Sequence, residues 1–260
     1  MMPWMKVEPT RHQVAIAGQV ADAQTGRAIA GAQVRIIQAP PGFVSRLVTL
    51  AKVTRLAPLE SLPAAVQAAN ARLDNPAASP RERLQAAQTL LDYLQAGHHL
   101  PADRPDETRT AADGHFHFMD LPDGVYTLMA LLPAAGTRYN QEHVDVTVTR
   151  DGEGNLKPMG VADIALRPTT LQGRIVDPNN APVPLAEIRV KGSGERTFSD
   201  AYEDPKGDPQ KSTKGHYRLT GLEAGQRLMR VSAQGYQMAD DLAVQLVRGE
   251  TTAMDIQLKR

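Results

Sequence analysis

Residues 114–124 read Gly-His-Phe-His-Phe-Met-Asp-Leu-Pro-Asp-Gly, and residues 215–225 read Gly-His-Tyr-Arg-Leu-Thr-Gly-Leu-Glu-Ala-Gly. In both stretches a glycine is followed, at the same spacings, by an aromatic residue, a leucine and a second glycine. The aromatic residues of the first stretch alternate with His115 and His117, which is the period of a strand with one buried face. The stretch therefore predicts a half-buried β-strand between two turns, and its return predicts a second copy of one structural unit.

The repeat continues on both sides of these stretches. Residues 14–36 have a counterpart in residues 171–190, and residues 163–167 have one in 255–259. The offset between the copies falls from 155 residues at the first block to 101 at the second, so the first copy holds an insertion that the second lacks. We expect the repeated positions to describe a scaffold, and the insert to carry the individual function.

Each copy contains five to seven short alternating segments separated by turn signals, a pattern typical of an antiparallel β-sandwich. The sequence thus predicts a mainly β protein with two tandem sandwiches, the first of which has an α-helical insertion. The predicted domains are an N-terminal segment (1–13), β-sandwich 1 (14–167, with the insert at about 38–100) and β-sandwich 2 (168–260).

The insert reads as two or three helices. Residues 43–57 carry apolar side chains at helical spacing, and residues 62–73 are rich in alanine. Ser79-Pro80-Arg81-Glu82 is a capping box with proline at the first helical position, and it opens an apolar stripe that stops at Gly97. Because the second copy closes without these helices, we expect the insert to be separable from the sandwich.

Composition excludes several classes of protein. Lys+Arg and Asp+Glu number 29 each, so the net charge is zero and broad binding to nucleic acid is disfavoured. The chain has no cysteine, which excludes disulfides and thiolate metal sites. The sequence shows neither a signal-peptide-like stretch nor an 18-residue apolar run, so we expect cytoplasmic synthesis and no membrane span, with incorporation into an exported or extracellular assembly left open.

The motifs resemble a known family. The segment from Gly18 to Val34, followed by Asp113-Gly114-x-Phe116-x-Phe118-x-x-Leu121-x-x-Gly124-x-Tyr126, resembles the carboxypeptidase regulatory-like domain, a transthyretin-like (prealbumin-like) β-sandwich. The second copy resembles the same family and adds Ala233-Gln234-Gly235-Tyr236. The resemblance implies the fold and an accessory, adhesive or structural role beside unrelated partners. The insert has no counterpart in this family.

One cluster of titratable residues invites a metal hypothesis. His115 and His117 share one strand face about 7 Å apart, and Asp113 or His98 is the candidate third ligand. The alternative, which we favour, is that both histidines are solvent-facing strand residues, because the second copy keeps His216 and has Arg218 at the other position. No nucleophile, metalloprotease or phosphate-loop motif occurs, so the sequence nominates no catalytic or cofactor-binding residue.

Two regions are candidate partner-binding sites. The residues nominated on the insert are Arg46, Lys52, Arg55 and Tyr93, and those nominated in the polar loop 191–211 are Asp200, Tyr202 and Glu203.

These features favour a non-catalytic structural or interaction protein, in which the sandwiches are spacers and the insert docks a partner. The setting would be a larger assembly, for which a phage-tail-like or contractile injection apparatus is one hypothesis. An alternative is a module that binds carbohydrate or cell-envelope polymer, for which Trp4 and Tyr139 are the few aromatic candidates. A metal-dependent enzyme that uses His115 and His117 is the third hypothesis.

Overall fold

The structure is a computed structural model that describes residues 12–53, 62–97, 104–151, 160–206 and 211–260. Of the described residues, 39% are in strands and 20% in helices, which confirms the mainly β fold class. The chain divides into two compact units, which are residues 1–21, 28–130 and 142–164 (unit 1) and residues 22–27, 131–141 and 165–260 (unit 2). Two short segments that the repeat assigns to the first sandwich, 22–27 and 131–141, thus belong to unit 2.

The first copy forms two four-stranded sheets. In chain order its strands are β1 (Val14–Asp22), β2 (Gln33–Gln38), β3 (Glu107–Arg109), β4 (His115–Met119), β5 (Gly124–Leu131), β6 (Glu142–Val148), β7 (Gly160–Val161) and β8 (Ile164–Leu166). One sheet has the order β4-β1-β7, with β8 also on β1, and the other has the order β3-β2-β5-β6. Phe116 and Phe118 of β4 point into the core, whereas His115 and His117 are exposed, as the alternation predicts.

The second copy repeats this arrangement strand for strand. Its strands are β9 (Thr170–Val176), β10 (Glu187–Val190), β11 (Arg196–Phe198), β12 (His216–Thr220), β13 (Gly225–Ser232), β14 (Ala239–Leu246), β15 (Thr251–Ala253) and β16 (Ile256–Gln257). The sheets have the orders β12-β9-β15, with β16 also on β9, and β11-β10-β13-β14. Leu171, Ile188, Tyr217 and Met229 lie in the core between them.

The pairing departs from the prediction in one respect, because neither sandwich is purely antiparallel. The last strands of each copy pair in parallel with its first strand, β7 with β1 and both β15 and β16 with β9. The reason is that the chain crosses from one sheet to the other after β6 or β14. It then runs beside β1 or β9, the first strand of the copy, in the same direction.

The repeated glycines and aspartates hold the last two strands of each copy in place. We call β7 to β8 in the first copy, and β15 to β16 in the second, the crossing segment. A Cβ atom at Gly18 or Gly173 would come within 2.1 or 1.9 Å of a carbonyl oxygen of the crossing segment. The carboxylate of Asp255 accepts a hydrogen bond from the amide of Arg174 at 2.8 Å, and Asp163 makes the equivalent bond in the first copy at 3.0 Å. These repeated positions are therefore scaffold residues, as expected.

A buried hydroxyl group makes matching hydrogen bonds in the two copies, and the sequence repeat did not reveal it. The hydroxyl of Thr110 donates to one backbone carbonyl at 2.6 Å and accepts from one backbone amide at 2.9 Å. Ser199 makes the matching pair of bonds in the second copy at 2.7 and 2.9 Å. Both hydroxyls are buried and fasten the end of β3 or β11 to the turn before the neighbouring strand. Different loop lengths shift these residues out of the repeat's spacing.

The insert folds into three helices in the described part of the chain, α1 (Pro41–Val53), α2 (Ala64–Asp74) and α3 (Pro80–Ala96). The capping box is confirmed, since the Ser79 hydroxyl accepts from the amide of Glu82 and the Glu82 carboxylate accepts from the amide of Ser79. Gly97 caps the C-terminus of α3, as predicted. The apolar stripe of α3 is buried.

The expectation that the insert is separable is wrong, because α1 shares a core with the sandwich of unit 1. The ring of Phe43 packs edge-on against Tyr126, with ring centroids 5.8 Å apart. Tyr126 is fully buried, its hydroxyl donates to the carbonyl of Pro122 at 2.7 Å, and burial raises its pKa. Removal of α1 would open this core to water.

A buried polar network fastens α3 to the same sandwich. The carboxylate of Asp106, fully buried, accepts from the guanidinium of Arg104 at 2.7 and 3.1 Å and from the amide of Gln88 at 3.0 Å. Gln88 on α3 also donates to the carbonyl of Ile36 on β2 at 2.8 Å. Burial alone would lower the pKa of Arg104, but bonds to Asp106 and Asp92 raise it, so the guanidinium stays charged.

Replacement of Asp106 tests this network. Asp106→Ala leaves Arg104 charged and buried without its main partner, and we expect a loss of about 3–5 kcal/mol in the free energy of unfolding. The control is Asp92→Ala, because the Asp92 carboxylate also binds Arg104 but is 43% exposed. Urea unfolding should show a clearly smaller loss for the control. Equal losses would mean that Asp106 has no special role.

The matched aromatic residues of the two copies provide a second test. Phe116 and Tyr217 are 2% and 4% exposed, so Phe116→Ala and Tyr217→Ala should each lower the free energy of unfolding by about 3–5 kcal/mol. Tyr217→Phe keeps the ring and loses only the bond from its hydroxyl to the carbonyl of Met254, so it should cost about 1 kcal/mol. Urea unfolding measures all three. A Tyr217→Phe loss as large as that of Tyr217→Ala contradicts the packing argument.

Candidate functional site

The insert and the sandwich of unit 1 enclose a groove with a volume of about 790 Å³. It lies between α1 and the strands β3 and β4, each of which is the end strand of its sheet. We call it the α1 groove. The residues that define it are Phe43, Arg46, Leu47, Gln95, Glu107, Arg109, His117, Phe118, Asp120 and Leu121.

The floor of the α1 groove is apolar. Phe43 and Leu47 come from the buried face of α1, and Phe118 and Leu121 come from β4 and the turn after it. All four side chains are nearly fully buried, so the apolar surface that a ligand can reach comes from Leu50 and Met119, which line the same groove and are half-buried and exposed. The apolar stripe of α1 is thus used mainly inside unit 1, and only its edge reaches the groove.

The rim of the groove is positively charged. Arg46 projects from the exposed side of α1, and one Nη atom donates a long 3.3 Å bond to the backbone carbonyl of Asp120. Arg109, exposed at the end of β3, has no ion pair among the described residues, and His117 is exposed on the neighbouring β4. Arg46 and Arg109 can therefore both bind an anionic group without breaking an ion pair within the described chain.

The carboxylates of the groove are already engaged. Glu107 accepts two hydrogen bonds from the guanidinium of Arg35, at 3.1 and 2.5 Å. Asp120 accepts from the His12 ring and from the amide of Gln13, and the bond from His12 holds the pKa of Asp120 below its usual value. The groove consequently presents cations to a ligand.

The candidate metal ligands lie beside this groove. The Nδ1 atom of His115 is 3.2 Å from a carboxylate oxygen of Asp113, and a hydrogen bond from the backbone amide of His115 lowers the pKa of Asp113. His117 projects from the same exposed face and lines the groove. Among the residues that the structure describes, no three His, Asp or Glu side chains converge as a metal site would require. His98 lies outside those residues.

The structure places the other insert candidates apart from one another. Lys52 forms an ion pair with Asp74 at 2.8 Å and so links α1 to α2. Tyr93 is exposed on α3, whereas Arg55 lies outside the described residues. Of the insert candidates, Arg46 is the one that lines the α1 groove.

The candidates in loop 191–211 serve mainly to shape it. Asp200 accepts from the Thr213 hydroxyl at 2.6 Å and from the Tyr202 amide at 3.0 Å, bonds that lower its pKa. Glu203 pairs with Lys214 at 2.7 Å, and the Tyr202 ring is half-exposed. The sequence suggested that residues 191–211 form a loop throughout, but the segment contains strand β11.

Tyr139, a candidate for sugar binding, has a structural contact within unit 2. Its hydroxyl donates to the carboxylate of Asp22 at 2.8 Å, and burial raises its pKa to about 12. Burial would raise the pKa of Asp22, but hydrogen bonds from the Thr25 amide, the Tyr139 hydroxyl and the Gln24 amide lower it. The other candidate, Trp4, lies outside the described residues.

This contact predicts a pH dependence. Because the folded-state pKa of Asp22 is lowered, its contribution to stability is present above the unfolded-state pKa of about 3.9 and is lost as the pH falls further. Tyr139→Phe should therefore lower the free energy of unfolding by about 1 kcal/mol at neutral pH. The difference from wild type should shrink below about pH 4. Urea unfolding at several pH values measures it, and a constant difference would contradict the assignment.

Comparison with known proteins supports the fold. The family model of the carboxypeptidase regulatory-like domain matches residues 170–259, which confirms the resemblance for the second copy. A comparison with curated protein sequences found no match. No helix among the described residues has the length and apolar character needed to cross a membrane.

Several solved structures of bacterial pilins are similar. The streptococcal ancillary pilin is 12% identical with a TM-score of 0.31, and the match covers 94% of this chain and 61% of that one. The minor pilin GBS52 of Streptococcus agalactiae is 15% identical, with a TM-score of 0.28 and coverage of 94% and 96%. The shaft pilin SpaA of Lactobacillus rhamnosus GG is 10% identical, with a TM-score of 0.36 and coverage of 96% and 98%. Likenesses this distant carry no functional argument.

Proposed function

We propose that this protein is a non-catalytic interaction protein of a larger assembly and that it binds an extended, acidic segment of a partner protein in the α1 groove. The observation that carries the proposal is the groove's combination of an apolar floor with two arginines that have no carboxylate partner in the described chain. The larger assembly stays unnamed, because no comparison supports the phage-tail-like or contractile injection setting.

The strand edges beside the groove favour an extended ligand. Within the described residues, β3 and β4 each have a strand partner on one side only, so their outer edges can pair with another strand. An extended peptide that pairs with such an edge places alternate side chains in the groove. Apolar residues would then contact Leu50 and Met119, and acidic residues would reach Arg46 and Arg109.

The insert explains why the first copy would have this role. The second copy keeps the sandwich and lacks the helices, so it has no α1 to form the second wall of such a groove. Helix α1 therefore adds a binding surface to a scaffold that otherwise closes on itself.

A peptide-display experiment tests the proposal. A phage library of random twelve-residue peptides, selected on the purified protein, should yield sequences enriched in Asp and Glu that alternate with apolar residues. Arg46→Glu/Arg109→Glu should abolish their binding, because it reverses the charge of the rim without altering the floor.

The matched control is Arg81→Glu, a charge reversal on the exposed first turn of α3. That position is roughly 21 Å along the helix from Gln95 in the groove, so binding should be unchanged. Circular dichroism establishes that each variant is folded. Selection of basic peptides, an absence of enrichment, or unchanged binding by the Arg46→Glu/Arg109→Glu variant would contradict the proposal.

A further inference from the structure

The outer face of the β12-β9-β15 sheet in unit 2 carries three basic side chains, Arg174, His216 and Arg218. The strand register places His216 opposite Arg174 and Arg218 opposite Gln172, so Arg174 is a direct cross-strand neighbour of His216 and a diagonal neighbour of Arg218. All three are exposed. We call them the cationic face. The two arginines carry like charges at diagonal positions, and a bound anion would relieve the repulsion between them.

Two carboxylates lie near this face, and the hydrogen bonds that they accept come from neutral groups. Asp255 accepts from the backbone amide of Arg174, and Asp200, which lines the same groove, accepts from the Thr213 hydroxyl and the backbone amide of Tyr202. Within the described ranges, neither the Arg174 nor the Arg218 guanidinium forms an ion pair. Two arginines with forked donors are therefore available to bind carboxylate or sulfate groups.

An exposed aromatic ring borders the cationic face. Phe198 on β11 is 54% exposed, although it is a large apolar side chain. With the cationic face and Thr213 it lines an open groove of about 710 Å³. The apolar face of a sugar ring packs against such a side chain, while the acidic substituents of the sugar reach the arginines.

Comparison with the first copy shows that these residues are not part of the scaffold. There, Ala17 lies opposite His117 and Gln19 lies opposite His115, so the face has no arginine pair. The position of Phe198 is occupied by Arg109, according to the matching registers of β3 and β11. His216 is repeated as His115, but Arg174, Arg218 and Phe198 are not repeated, so these three side chains are individual features of unit 2.

We propose that the cationic face and Phe198 bind an acidic polysaccharide, a glycan chain with carboxylate or sulfate groups. An acidic peptide lacks the sugar ring that would pack against Phe198, and the test below includes one for comparison. A single-stranded nucleic acid is a poorer fit, because its bases need several aromatic rings to stack on. Among the described residues of this groove, Phe198 is the one exposed aromatic side chain.

Calorimetric titration of the full chain tests this site with two probes, a hexamer of galacturonic acid and a sulfated heparin hexasaccharide. At least one should bind with a dissociation constant below about 1 mM, and neutral maltohexaose should not. Arg174→Ala/Arg218→Ala should weaken binding about tenfold or more, and Phe198→Ala should weaken it by a similar factor. Phe198→Ala should leave the weaker binding of hexaglutamate unchanged, because that ligand has no sugar ring.

Two controls separate this result from the peptide groove. Arg189→Ala removes an exposed arginine of the other sheet, one that pairs with Glu187 at 2.8 Å, and should not change glycan binding. Arg46→Glu/Arg109→Glu should likewise leave it intact, so failure of the α1 groove and failure of this site are distinguishable. The proposal is overturned if neither acidic glycan binds, if the arginine double variant binds equally well, or if Phe198→Ala affects hexaglutamate as much as the glycan.

Discussion

The architecture of unit 1 depends on the hydrogen bonds that the buried carboxylate of Asp106 accepts. This carboxylate joins Arg104 beside β3 to Gln88 on α3, and Gln88 in turn binds a carbonyl of β2. A charged pair buried at this depth persists only when its hydrogen bonds are satisfied. This network therefore holds the helices at one position against the sandwich, and so it determines the shape of the α1 groove.

The two copies show how one scaffold can carry different surfaces. Most inward positions of the strands are apolar in both copies, although the buried Tyr126 of the first corresponds to the half-buried Arg227 of the second. Glycine, aspartate and hydroxyl contacts fix the crossing segment and the end strands. Outward positions differ, since the first copy gains helices and the second gains the cationic face. The interior limits which residues are allowed, whereas the exterior is free to acquire new binding properties.

Local signals in the sequence were sufficient for much of this fold. The alternation around Phe116 predicted β4 and its buried face, and the capping box at Ser79 predicted the start of α3. The three-residue strands β3 and β11 were missed, because short polar segments have no periodicity. The Asp106 network and the cationic face were missed for another reason, namely that each joins residues whose proximity depends on strand register and helix packing. Of the predicted partner residues that the structure describes, only Arg46 lines the α1 groove.

The parallel crossing strand has a consequence for how each sandwich closes. Ile16 pairs with Gly160, 144 residues later, whereas Thr170 pairs with Thr251, 81 residues later. Loop-closure entropy rises only with the logarithm of length, so the longer connection costs about 0.5 kcal/mol more. Helices form from local contacts, so a folded insert spans less distance than a flexible chain of equal length. The helical subdomain therefore adds little to the entropic cost of closing this parallel pair of strands.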